Sequence, residues 1–141
     1  MKQQETMIGN YAHAFGGGDG FSWRNAKRYL AQVTSVAKWG ISYDILDNKP
    51  ETYHTHFEPI QLDEEWLVKF GWIWNKDTNS FEKYPNGDAR MHLQYRYVSN
   101  SYTMFNYVLK AMICERIFYV HQLQNLYFSL TGEKLTITHG S

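Results

Sequence analysis

Cysteine is almost absent from this chain, and its single residue, Cys114, excludes an internal disulfide and any zinc site built from several thiolates. That usage fits a reducing compartment, so the expected location is the cytoplasm. Long apolar runs are missing as well. No stretch of about eighteen apolar residues occurs, and no basic-then-apolar leader opens the chain, so no membrane association is expected. Charge of one sign is also lacking, because fourteen Lys and Arg residues balance fourteen Asp and Glu. No overall field draws such a protein to nucleic acid or to an anionic membrane, and any such binding has to come from a local patch.

What is present is enough length for one domain, 1–141, and a high aromatic share of 17%, with eleven Tyr and five Trp. A chain of this size buries roughly two-thirds of its unfolded surface. Aromatic side chains suit both strands and recognition surfaces. Residues 1–6 and 138–141 are expected to fray.

From the start, 7–15 has a strand-like pattern, broken by the glycine-rich stretch 16–20. Phe21 stands where a third spaced glycine would be and no Gly-Lys-Ser/Thr follows, so a surface loop is expected rather than a phosphate cradle. The next segment, FSWRNAKRYL, holds the best basic-aromatic patch: Trp23 beside Arg24, Lys27 and Arg28. On a helix the three cations would share one face able to meet phosphates or an acidic partner, and the alternative is a solvated loop. Residues 31–46 read as two short strands or one bent strand, followed by a turn at 47–50.

His54, His56 and Glu58 alternate, and on an extended strand they would share one face, the arrangement by which two imidazoles and a carboxylate hold a divalent metal. An exposed polar strand face is the competing reading. Asp63 then caps a short helix from Glu64 to Phe70, with Leu62, Trp66, Leu67 and Phe70 as its buried stripe and Gly71 as its stop. Trp72 and Trp74 open a hairpin over 72–84 and offer stacking platforms. From Met91 to Val98 apolar and polar residues alternate: Met91, Leu93, Tyr95 and Tyr97 are expected to be buried, and His92, Gln94 and Arg96 wet. Residues 102–119 read as two strands, with a helix as the alternative, and Cys114 reads as a small core residue.

The last stretch, YVHQLQNLYFSLTGEKLTI from Tyr119 to Ile137, predicts an amphipathic helix of about three turns. Val120, Leu123, Tyr127 and Leu130 form its stripe, Gly132 ends it, and Leu135 folds back onto it. His121 and Asn125, one turn apart, suit hydrogen bonds that fix the helix or meet a partner.

The segments FEPIQLDEEWLVKFGW and YVHQLQNLYFSLTGEKLTI together resemble a family of small uncharacterised proteins of Bacteroidetes-type bacteria and their phages. Members carry an EPIPLTEEWLLKFGF-like block at mid-chain and end in a YVHQLQNLYFALTGEEL-like block. MIGNYAHAF and QVTSV are looser likenesses, and Gln61 and Asp63 stand where Pro and Thr are usual. The resemblance implies a phage or mobile-element setting. It brings no activity and no catalytic residues.

The expected fold is α+β: a curled, mainly antiparallel sheet with a short mid-chain helix and a C-terminal amphipathic helix packed on one face. The leading functional expectation is a non-enzymatic accessory protein that needs no cofactor and binds a host or phage protein, antagonism of a host defence being one use. The alternatives are a nucleotide or single-stranded nucleic-acid binder using Trp23, Arg24, Lys27, Arg28, Trp72 and Trp74, and a metal-dependent hydrolase using His54, His56 and Glu58. Exposed strand edges would also permit a homo-oligomer.

Overall fold

The computed structural model describes residues 6–16, 27–37, 40–46, 53–84, 91–106 and 111–138. The class is α+β, as the patterning implies, but the strands divide between two antiparallel sheets instead of forming one curled sheet. They fall in two compact units, Met1–Ile60 and Gln61–Ser141.

The first unit is a sheet of β1 (Tyr11–Gly16), β2 (Lys27–Ala37), β3 (Gly40–Ile45) and β4 (Tyr53–Glu58), in the order β3-β2-β1-β4. The long β2 pairs with β1 from Tyr11↔Gln32 to Gly16↔Lys27 and with β3 from Ala31↔Ile45 to Ala37↔Gly40. Its core includes Ala12, Ala14, Ala31 and Val33. Ala12 on β1 stands opposite Ala31 on β2, and Val33 opposite Tyr43 on β3. Ahead of β1, Asn10 Oδ1 accepts from the Met7 N–H at 2.7 Å, and the Gly9 N–H donates to Val33 O at 2.8 Å. Gly9 has φ +96°, a conformation that suits glycine.

The second unit opens with α1 (Glu64–Lys69), capped by Asp63, whose Oδ1 accepts from the Trp66 N–H at 3.0 Å. Glu64 and Glu65 lie in the first turn, where the helix dipole favours negative charge. Gly71, at φ +85°, ends the turn. The expected stripe of Leu62, Trp66, Leu67 and Phe70 is buried. A five-stranded meander follows: β5 (Ile73–Asn75), β6 (Ser80–Lys83), β7 (Met91–Arg96), β8 (Ser101–Asn106) and β9 (Ala111–Ile117). The described residues of 102–119 therefore hold strands and no helix.

The chain ends in α2 (Val120–Thr131). Gln122 Oε1 accepts from the Phe118 and Tyr119 N–H groups at 2.9 and 3.1 Å, satisfying two donors at the helix start. Gly132 closes the helix at φ +74°, its N–H donating to Phe128 O at 2.8 Å. Leu135 folds back and is buried, held by a hydrogen bond from Gln124 Nε2 to its carbonyl at 3.2 Å. Leu130, expected in the buried stripe, is exposed instead, because the buried face runs through Val120, Leu123, Gln124 and Tyr127 and ends there. The segments around α1 and α2 meet: Gln61 bridges to Tyr119, the Leu62 N–H donates to Phe118 O at 2.8 Å, and Trp72 meets Tyr127 edge-on at 6.3 Å. Thr138 then binds the Lys69 carbonyl with both its N–H and its hydroxyl, at 2.7 and 3.0 Å.

Candidate functional site

Strand alternation gives the meander two faces. One carries Phe81, Met91, Leu93, Tyr102 and Met104, all buried. The other carries Ser80, Glu82, His92, Ser101 and Thr103, which are polar and also buried. His92, expected on a wet face, is only 5% exposed. Its partners explain this: Ser80 Oγ lies 2.9 Å from Nδ1, and Glu82 Oε1 lies 3.5 Å from Nε2. Glu82 Oε1 also accepts from Asn75 Nδ2 at 2.9 Å and from the Thr78 hydroxyl at 3.2 Å. The order Ser80, His92, Glu82 is that of a nucleophile, a base and an orienting acid. A substrate must reach the nucleophile, however, and Ser80 is buried in the sheet with its hydroxyl 2.8 Å from that of Thr78. This is a buried polar network that links β6 to β7, in which the His92 Nε2 approach to Glu82 is too loose to be a hydrogen bond.

Where the polar face reaches the end of the sheet it opens. Tyr97–Asn100 turn the chain from β7 into β8, with Asn100 at φ +52°, a region that asparagine tolerates. The Tyr95 hydroxyl donates to Asn100 Oδ1, and the Ser99 and Ser101 hydroxyls lie 2.6 Å apart. The Tyr95 ring meets Tyr97 at 4.9 Å and Tyr102 at 5.2 Å. A tip braced in this way holds its shape, yet Tyr97 is 88% exposed and Val98 wholly so. Tyr97 does not continue the buried stripe, because β7 ends at Arg96.

Beside the tip, β9 bulges. Between Tyr102↔Ile117 and Met104↔Cys114, β8 advances two residues and β9 three, so Glu115 and Arg116 both oppose Thr103. Arg116 has φ +58°, the left-handed region, which costs a non-glycine residue about 1–2 kcal/mol. The bulge helps form a groove of about 530 Å³, lined by Arg96, Ser101, Thr103, Glu115 and Arg116 with Tyr95 and the turn residues Tyr97, Val98 and Ser99. A smaller hollow of about 210 Å³, lined by Gln61, Ser99, Asn100, Phe118 and Tyr119, shares Ser99 with it. Among the described residues, Arg96, Glu115 and Arg116 form no ion pair. Burial first, then the charges of Glu64 and Asp63 and the proximity of Tyr95, push the Tyr102 hydroxyl up to about 12.

The residues singled out in the sequence lie elsewhere. Trp23 and Arg24 are outside the described residues. Lys27 and Arg28 lie in the strand β2, their backbone paired with Gly16 and Phe15, so a helical face shared by Arg24, Lys27 and Arg28 does not form. Trp72 is buried against Tyr127, a core position; Trp74 is half-exposed, its ring 5.1 Å from that of Phe81. His54 and His56 lie in β4 as an extended strand, and Glu58 faces His13 across β1. The side chains of His54 and His56 are outside the described residues, and no metal-binding cluster occurs among those described. Cys114 is half-exposed in the edge strand β9 and its Sγ lies 3.3 Å from Glu115 O. No helix among the described residues is long and apolar enough to cross a membrane.

The sequence reading missed the groove. Its hint was the alternation from Met91 running into Ser99-Asn100-Ser101, which leaves Tyr97 and Val98 at a turn. The β9 bulge has no sequence signal, since left-handed positions usually call for Gly or Asn and here Arg116 takes one. Comparisons with family models, curated proteins and solved structures find no match to the chain.

Proposed function

We propose that this chain is a small non-enzymatic accessory protein of a phage or mobile element that binds a host protein, using the β7–β8 tip as its contact surface. The observation that carries the reading is the pair Tyr97 and Val98, held out in solvent on a turn that Tyr95 and Asn100 brace. Folding gains nothing from exposing a tyrosine and a valine side by side. A rigid aromatic anchor, by contrast, is what a protein interface uses, because little conformational entropy is lost when it is covered. The family resemblance supports the setting, and antagonism of a host defence system is the use that such a grip serves there.

The test is affinity capture from a Bacteroidetes host lysate with the wild-type chain and with a Tyr97→Ser/Val98→Ser double variant, both shown by circular dichroism to be folded. One partner recovered by the wild type and lost from the variant is the expected result. Capture that is unchanged by the double variant, or no partner for the folded wild type, overturns the reading.

A further inference from the structure

We propose that the groove between the β7–β8 turn and the β9 bulge binds a mononucleotide, with Arg96 and Arg116 on its phosphate. This goes beyond protein binding: it rests on Arg96 and Arg116, and shares Tyr97 and the turn with that reading. The two guanidiniums line one groove and neither is engaged by a carboxylate among the described residues. Guanidinium forks match phosphate oxygens, and two of them balance a dianion.

Thr103 also lines the groove, where its hydroxyl can hydrogen-bond a ligand. The β9 bulge brings Glu115 and Arg116 opposite Thr103, and it does so with a left-handed backbone at Arg116. Backbone strain of this kind persists at ligand sites, where it aims a side chain.

Two features select a nucleotide over a bare anion. The groove, at about 530 Å³, lies within the range of about 300–1,000 Å³ typical of small-molecule sites and is far larger than one phosphate group. Glu115 repels a phosphate laid against it but accepts hydrogen bonds from sugar hydroxyls or a base amine, so it favours a ligand with both parts. Tyr97 at the rim supplies an aromatic surface on which a base stacks.

The experiment is a titration of the isotope-labelled full chain, followed by amide chemical shifts, with AMP, CMP, inorganic phosphate and adenosine in separate arms. The expected result is saturable shifts around 96–103 and 114–117 with a mononucleotide, with phosphate and adenosine each at least about tenfold weaker. Raising the salt should weaken binding. Arg96→Gln and Arg116→Gln should each lower affinity about tenfold or more. Arg116→Gly, which relaxes the backbone while removing the cation, should lower it as much and so separates lost binding from lost folding. No saturable shift with either nucleotide at millimolar concentration overturns the proposal. So does binding that the arginine variants leave unchanged, or phosphate alone binding as tightly as AMP. Partner capture is read on separate samples, so either proposal can fail while the other stands.

Discussion

In the central strands β6, β7 and β8 residues on both faces of the sheet are buried, but by opposite means. On the apolar face Phe81, Leu93 and Met104 exclude water, a gain that depends on area and not on direction. On the polar face Ser80, Glu82 and His92 are buried because hydrogen bonds between Ser80 and His92, and from Asn75 and Thr78 to Glu82, replace those to water. The difference teaches where a site can arise. An apolar layer ends wherever its side chains end, whereas a polar layer that runs to the end of its sheet leaves its last members, here Thr103, Arg96 and Arg116, facing a groove.

Breaking the polar layer should have the largest effect. His92→Ala removes the partner of Ser80 and takes the imidazole from Glu82, and it should destabilise by about 3–5 kcal/mol in urea unfolding. Replacing Glu82 and His92 together with leucines should be much milder, since both partners then leave at once. Opening the apolar layer with Leu93→Ala should cost about 2–5 kcal/mol, the range for a buried leucine that leaves a cavity. If the double replacement proves as harmful as His92→Ala, the two faces are not held in different ways.

At the open end the sign reverses. Arg116→Gly should raise stability by up to about 1 kcal/mol, because glycine takes the left-handed backbone without strain. Tyr102, on the apolar face, sharpens the contrast through pH. Its folded-state value, about 12, lies above the ordinary 10.0, so the stability it contributes is complete below pH 10 and is lost as pH rises towards 12. Tyr102→Phe should flatten the fall in stability over that window, measured by urea unfolding at several alkaline pH values. The smallest effect is expected at the tip: Val98→Ser should shift stability by no more than about 0.5 kcal/mol.

Most of the helical structure was legible in the sequence, because helix ends are written in single residues. Asp63 caps α1, Gly71 and Gly132 stop the two helices, and Leu135 returns onto α2, all where local chemistry places them. The strands 91–96, 101–106 and 111–117 were legible from content, but not their grouping into two sheets, since pairing joins residues far apart. Alternation also misled at His92. Period two assigns a face but cannot say whether that face is wet, and only the distant Ser80 and Glu82 make it dry. The candidate site was least legible, because it depends on one extra residue in β9 that no composition rule marks.

Thr138 bears on the order in which the protein is made. Its N–H and hydroxyl hold the Lys69 carbonyl across 69 residues of sequence. On a ribosome, Tyr11–Glu58 holds every strand of the first sheet, while the last turn of α1 must await a residue synthesised well after it. At about 5–20 residues per second, the delay from Lys69 to Thr138 lasts several seconds. The bonds that hold the Lys69 carbonyl are thus absent from the nascent chain until Thr138 has been made.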